Sequence, residues 1–148
     1  MSKQIMGMIT ILIPVYNYDL TPLVNCLHQV IEDSNIYDEI IIGADGCDTS
    51  CIKTFRALAK LPKVKLFISK PNIGRAAIRN RLTDEAKGSH VLFIDADALI
   101  EGSASFYLNK WVEDINIAPV ICGGTAYRDL PPDDPDKHKL SYRSRICY

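Results

Sequence analysis

No run of apolar residues in this 148-residue chain approaches the ~20 that a membrane-spanning helix needs. The apolar stretch within MSKQIMGMITILIPV is too short and wrongly flanked for a secretory leader. Net charge is nearly absent. Seventeen Lys and Arg against 18 Asp and Glu leave −1, so no basic field addresses the chain to nucleic acid or to an anionic membrane. Histidine is sparse, and His28, His90 and His138 are too scattered to suggest a ligand set. The five cysteines (26, 47, 51, 122 and 147) are odd in number and follow no metal spacing. They read as reduced thiols in a cytoplasmic protein. No internal repeat occurs, and no Gly-x-Gly-x-x-Gly follows an apolar run, which removes the dinucleotide fingerprint.

What is present is a globular pattern. Hydrophobic residues at 47% and charged residues at 24% match a folded domain of this length. Met8 to Val15 is a β-branched apolar run without alternation, as expected of a strand covered on both faces. Thr21-Pro22 predicts a helix start with a capping hydroxyl, and the helical spacing from Leu20 to Ile31 carries it to about Ser34. Glu39 to Ala44 is a second buried strand. Ile52, Phe55, Leu58 and Ala59 mark a second helix, and Val64 to Ser69 alternates as a strand nearer an edge. Asn72 to Ala86 predicts a third helix, stopped by Lys87-Gly88. Val91 to Ile94 reads as a fourth, buried strand. Ser103 to Ile115 reads as a fourth helix with Phe106, Trp111, Val112 and Ile115 inward, and Pro119 to Cys122 as a last short strand. Strand and helix alternate, which calls for an α/β, mostly parallel, doubly wound sheet with helices on both faces.

A parallel sheet gathers the carboxyl ends of its strands along one rim, where open α/β sheets bind ligands. That rim would collect Pro14-Val15-Tyr16-Asn17, Asp45-Gly46, Lys70-Pro71-Asn72 and Asp95-Ala96-Asp97. Two carboxylates one residue apart at a strand end are hard ligands suited to Mg²⁺ or Mn²⁺, and through the metal to a diphosphate. Asn72 can cap the third helix, and Gly74 lets a ligand approach its start, where free N–H groups and the helix dipole favour anions. Arg75 and Arg79 share one helix face and add two guanidinium groups. The competing expectation is that both arginines are solvated and Asp84 or Glu85 neutralises one.

Ile-Pro-Val-Tyr-Asn, then Ala-Asp-Gly, then Asn-x-Gly-x-x-x-x-Arg-Asn, then Asp-x-Asp, in this order, resembles the family-2 glycosyltransferases. These are inverting enzymes of the GT-A fold that use nucleotide-diphosphate sugars. The likeness covers about Met8 to Asp97, with Gly123-Gly124 as an extension. The resemblance implies that Pro14 and Tyr16 line the base and ribose pocket and that Asp45 hydrogen-bonds the nucleobase or ribose. Arg79 and Arg75 would face the phosphates. Asp95 would contact the ribose or the metal shell, and Asp97 would hold the divalent cation. Gly124 would let the backbone pass close to the donor sugar, and Asn17, Asn72, Gly74 and Ala96 join the donor-binding set. The partners implied are a nucleotide-diphosphate sugar and a glycan or lipid-linked acceptor.

Two departures stand out. Where the family often carries two adjacent acids after the second strand, this chain reads Ala44, Asp45, Gly46, Cys47. The carboxylate that would deprotonate the acceptor hydroxyl lies later in the family, so it is expected beyond residue 148. Glu113-Asp114 reads as solvated surface. From Arg128 the chain turns proline- and acid-rich, so the expected division is a donor-binding GT-A domain over 1–127 and a connector over 128–148, the front part of something longer. Three alternatives follow. One is a non-catalytic nucleotide-binding module. Another is a haloacid-dehalogenase-like phosphatase, against which Ala98 and the motif's place at the fourth strand argue. A dinucleotide oxidoreductase is the third. Peripheral membrane association of the longer enzyme, and self-association through uncovered core faces, are further expectations.

Overall fold

Residues 9–100, 102–115, 117–118 and 120–121 are described by the structure, a computed structural model. They form β1 (Ile9–Val15), α1 (Thr21–Ile31), β2 (Tyr37–Asp45), α2 (Thr49–Leu58), β3 (Val64–Ser69), α3 (Arg75–Glu85), β4 (His90–Phe93) and α4 (Ala104–Asp114). The described residues fall into two compact units, one ending at Ser105 and one beginning at Phe106. The boundary expected at 127/128, Gly124, and residues 119 and 122 of the expected last strand lie outside the described residues.

The four strands form one parallel sheet in the order β3-β2-β1-β4. β1 and β2 are central, and their apolar runs are buried almost without exception, because both faces are covered. Alternation decides which side chain meets which helix. Leu12 and Ile41 point to α3 and form a cluster with its Ile78 and Leu82. Ile11, Ile13, Ile40 and Ile42 point the other way and are fully buried, on the side left to α1 and α2. Gly43 lies on the α3 face, where a Cβ would come within 2.5 Å of Leu82 Cδ1, so the glycine lets α3 seat closely on β2.

Several local readings are corrected. Thr21 does not cap α1. Its hydroxyl and its N–H both donate to Asp19 Oδ1, at 2.7 and 3.0 Å, and Leu20 occupies the cap position. Asp48 caps α2 instead, its Oδ1 accepting from Cys51 N at 2.9 Å. The carboxyl end of α1 is closed from a distance. Lys63 Nζ donates to the carbonyls of Ile31, Ser34 and Tyr37, at 2.9, 2.6 and 3.3 Å, which sequence spacing does not reveal. α3 begins at Arg75 rather than Asn72 and ends before Lys87-Gly88. Those two residues send their N–H groups to Glu39 Oε1 and the buried Thr10 hydroxyl. β4 is an edge among the described residues, with Val91 36% and Phe93 39% exposed, not the buried strand its composition suggested. An apolar run records affinity for other apolar groups but not how many neighbours the strand has. In α4 the buried residues are Ala104 and Leu108, while Phe106 is 65% exposed. Glu113 and Asp114 pair with Lys110 at 3.6 and 2.8 Å, as surface residues do.

Candidate functional site

The carboxyl ends of β1, β2 and β4 and the start of α3 enclose a cavity of about 440 Å³. From β1 and the turn after it come Pro14, Val15, Tyr16 and Tyr18. The β2 end gives Asp45, the approach to α3 gives Asn72 and Gly74, and α3 gives Arg75, Ile78 and Arg79. Asp95, Ala96 and Asp97 follow β4. The rim inferred from strand order is therefore a real wall. Of the expected donor-binding residues within the described part, all but Asn17 line it.

Asn17 is exposed and is not among the residues lining the cavity. It adopts a left-handed backbone with φ +45°, its N–H donates to Cys47 Sγ, and its Oδ1 accepts from Asp48 N at 2.8 Å. The buried Cys47 thiol donates to the Val15 carbonyl at 3.3 Å. This latch joins the β1–α1 turn to the β2–α2 turn and so fixes the backbone that carries Tyr16 and Tyr18. Both tyrosines are exposed, by 62% and 48%, so their ring faces are open to a flat apolar ligand. Tyr18 was not among the expected site residues. The available signal was a second aromatic two residues from Tyr16 in a turn, where a side chain has no core to enter.

Asp45 is almost fully buried, and its carboxylate is engaged. Oδ1 accepts from Ile73 N at 2.7 Å, and Oδ2 accepts from Gly74 N at 2.9 Å. Asn72 does not cap α3. Its side-chain amide donates to the Asp45 carbonyl at 2.9 Å, and Gly74 holds the cap position with φ +92°. A carboxylate thus already sits at the positive end of the α3 dipole. Attraction for a further anion rests mainly on the two guanidinium groups.

Those two groups differ. Arg79 donates to Asp95 Oδ1 at 2.6 Å, and its guanidinium carbon lies 5.9 Å from the Phe93 ring centroid. Neither Asp84 nor Glu85 takes part. No such pairing holds the Arg75 guanidinium or the Asp97 carboxylate among the described residues, so both are open to a ligand. Asp95 keeps one carboxylate oxygen outside its pair with Arg79. Among the described residues no group of three or more His, Cys, Asp or Glu side chains is placed to cage a metal. Two carboxylates on one wall make a partial, hard-oxygen shell. That fits Mg²⁺ or Mn²⁺ shared with phosphate oxygens and water better than a metal bound by protein alone. Cys26, Cys47 and Cys51 are free thiols.

Comparison with known proteins agrees with this architecture. The chain is 35% identical over 99 residues to an uncharacterized glycosyltransferase of Haemophilus influenzae, covering 64% of this chain and 38% of that protein. It is 27% identical over 128 residues to the chondroitin synthase of Pasteurella multocida, covering 85% of this chain and 13% of that one. The fold matches that of a mannosyltransferase of Pyrobaculum calidifontis, solved in complex with GDP-Man and Mn²⁺. The TM-score is 0.60 and the identity 21%, over 80% of this chain and 35% of that one. The chain thus spans well under half the length of each. The model of Glycosyl transferase family 2 matches residues 10–146. With that match and a parallel α/β sheet of GT-A type, the chain belongs to glycosyltransferase family 2.

Proposed function

We propose that this chain forms the donor half of an inverting glycosyltransferase. It binds a nucleoside-diphosphate sugar together with Mg²⁺ or Mn²⁺, and the sugar passes to a glycan or lipid-linked acceptor. One observation carries the reading. A single cavity presents two open aromatic rings, two guanidinium groups and the Asp95/Asp97 carboxylates, a set that matches base, diphosphate and metal in turn.

Each part has a physical role. Tyr16 and Tyr18 offer ring faces to the base and ribose. Arg75 supplies a positive charge unpaired among the described residues for a phosphate, and Arg79 supplies one already oriented by Asp95. Asp97, with Asp95, would hold the cation, which when bound neutralises charge on the departing nucleoside diphosphate. The acceptor's proton needs a separate base. Asp45 accepts two backbone N–H groups, and Asp95 and Asp97 are assigned to the metal, so none of the three carboxylates that line the cavity among the described residues is assigned to that task. We propose for that task a carboxylate outside the described residues. The free thiols support a reducing, cytoplasmic setting.

Calorimetry with UDP, GDP and dTDP, with and without Mn²⁺, tests the reading. At least one should bind, and bind more tightly with the metal. Failure of all three to bind a folded sample overturns it.

A further inference from the structure

We infer that Cys47 and Asn17 are positioning residues for Tyr16: together they clasp the peptide groups on either side of it and so set where its ring meets the nucleoside. This inference rests on the proposed function, in which Tyr16 offers a ring face to the base and ribose.

Tyr16 needs such a hold. The pairing of β1 with β4 ends at Leu12 and Phe93, and its pairing with β2 ends at Val15 and Ala44, so Tyr16 lies just past the last paired residue. Its side chain is largely exposed, and core packing does little to orient it. The place of the ring therefore follows from the backbone that carries it.

The sulfur of Cys47 grips that backbone. The thiol donates to the Val15 carbonyl at 3.3 Å, and the same Sγ accepts from the Asn17 N–H at 3.4 Å. The first group belongs to the peptide before Tyr16 and the second to the peptide after it, so one atom spans the residue. Asn17 closes the clasp. Its φ of +45° lies in the left-handed region, which Asn enters more readily than most residues, and its Oδ1 accepts from Asp48 N at 2.8 Å.

The clasp stands on a turn that is itself fixed at both ends. Asp48 caps α2 through Cys51 N. On the other side Gly46, with φ +69°, donates to the Ser69 carbonyl at 2.9 Å, and a Cβ on it would lie 2.7–2.9 Å from Asn72 atoms. Cys47 sits buried between these two points. Thiol hydrogen bonds are weak, so the clasp governs the geometry of an exposed turn more than the stability of the fold. Holding a loop in its binding conformation strengthens binding by lowering the ordering cost.

A double-mutant cycle separates positioning from direct contact. UDP, GDP and dTDP, each with Mn²⁺, are titrated into wild type, Cys47→Ala, Tyr16→Ala and the double variant. Every nucleotide that binds wild type should bind Cys47→Ala about three- to tenfold more weakly. In the Tyr16→Ala background the same change should cost little further, because the group it positions is gone. Equal losses in both backgrounds overturn the inference, as does a folded Cys47→Ala that binds nucleotides like wild type. Cys47→Ser, whose hydroxyl also donates and accepts, should recover part of the lost affinity, and no recovery overturns it. Inorganic pyrophosphate, which has no base, should bind Cys47→Ala as it binds wild type, and a loss matching that of the nucleotides overturns it too. If Cys47→Ala does not fold, Asn17→Gly carries the same cycle, at an exposed position where glycine accepts the positive φ. Its loss should be smaller in the Tyr16→Ala background, and equal losses overturn the inference. A wild-type chain that binds none of the four ligands removes the proposed function itself, a result distinct from any of these.

Discussion

Arg79 and Asp95, sixteen residues apart, are joined by a 2.6 Å hydrogen bond at the mouth of the cavity, with the Phe93 ring beneath the guanidinium. The pair links α3 to the segment after β4, so the arginine is aimed before any ligand arrives. Both side chains are substantially exposed, at 29% and 56%, and screening holds such a pair to within about 1 kcal/mol of stability. Arg79→Met should therefore leave urea unfolding nearly unchanged and weaken nucleoside diphosphate binding at least about tenfold. A fall in stability comparable to the fall in affinity would make Arg79 a structural residue.

Asp97 gives a sharper contrast, because no hydrogen bond or ion pair among the described residues involves its carboxylate. Asp97→Asn should unfold within about 0.5 kcal/mol of wild type, as surface changes do. Its effect should fall on the metal. Wild type is expected to bind a nucleoside diphosphate more tightly with Mn²⁺ than without, whereas the variant should bind equally in both conditions. Calorimetry with and without the ion measures this, and a retained Mn²⁺ enhancement would move the metal role elsewhere.

The strands were legible from composition because each is a short apolar run bounded by turn residues. β3 coincides with the expected Val64–Ser69. The rim was legible because parallel topology alone brings Tyr16, Asp45, Gly74 and Asp95 together. What the sequence hid is who bonds to whom across the chain. Asn72 was expected to cap the helix next to it but bonds to Asp45, 27 residues away. Asp45 was expected to bond a base or ribose, and its carboxylate also accepts two amides of that same loop. Lys63 reaches back 32 residues to Ile31. Periodicity encodes which face is buried, and it contains no information on long-range polar pairing. The exposure of β4 was hidden for a related reason: its neighbours are a property of the whole sheet.

The seating of α3 on β2 predicts a coupling. Gly43→Ala puts a Cβ against Leu82 Cδ1 and should cost about 1–3 kcal/mol in urea unfolding. Leu82 is fully buried in the cluster with Leu12, Ile41 and Ile78, so Leu82→Ala alone should cost about 2–5 kcal/mol. In the double variant the added methyl occupies part of the space the leucine left. The combined loss should fall short of the sum by about 1 kcal/mol or more. Strict additivity would mean that the helix does not approach β2 as closely as Gly43 allows.

Acid should loosen the start of α2. Hydrogen bonds from Cys51 N and from the Ser50 hydroxyl hold the Asp48 carboxyl below the ordinary carboxylate range. A carboxyl whose folded pKa is depressed adds stability that is present above its unfolded value. That stability is lost as pH falls through the folded value. Asp19, held low by the Thr21 hydroxyl and N–H at the start of α1, works in the same direction. Wild-type melting temperature should therefore decline as pH drops from about 5 to about 2. Asn is also a good capping residue but does not titrate, so Asp48→Asn should keep α2 and show a shallower decline over that window. Above it the ionised Asp48 also favours the helix dipole, so wild type should be the more stable of the two, with the difference shrinking toward low pH. Thermal melts of both proteins across this range measure it, and parallel curves would show that Asp48 contributes no pH-dependent stability.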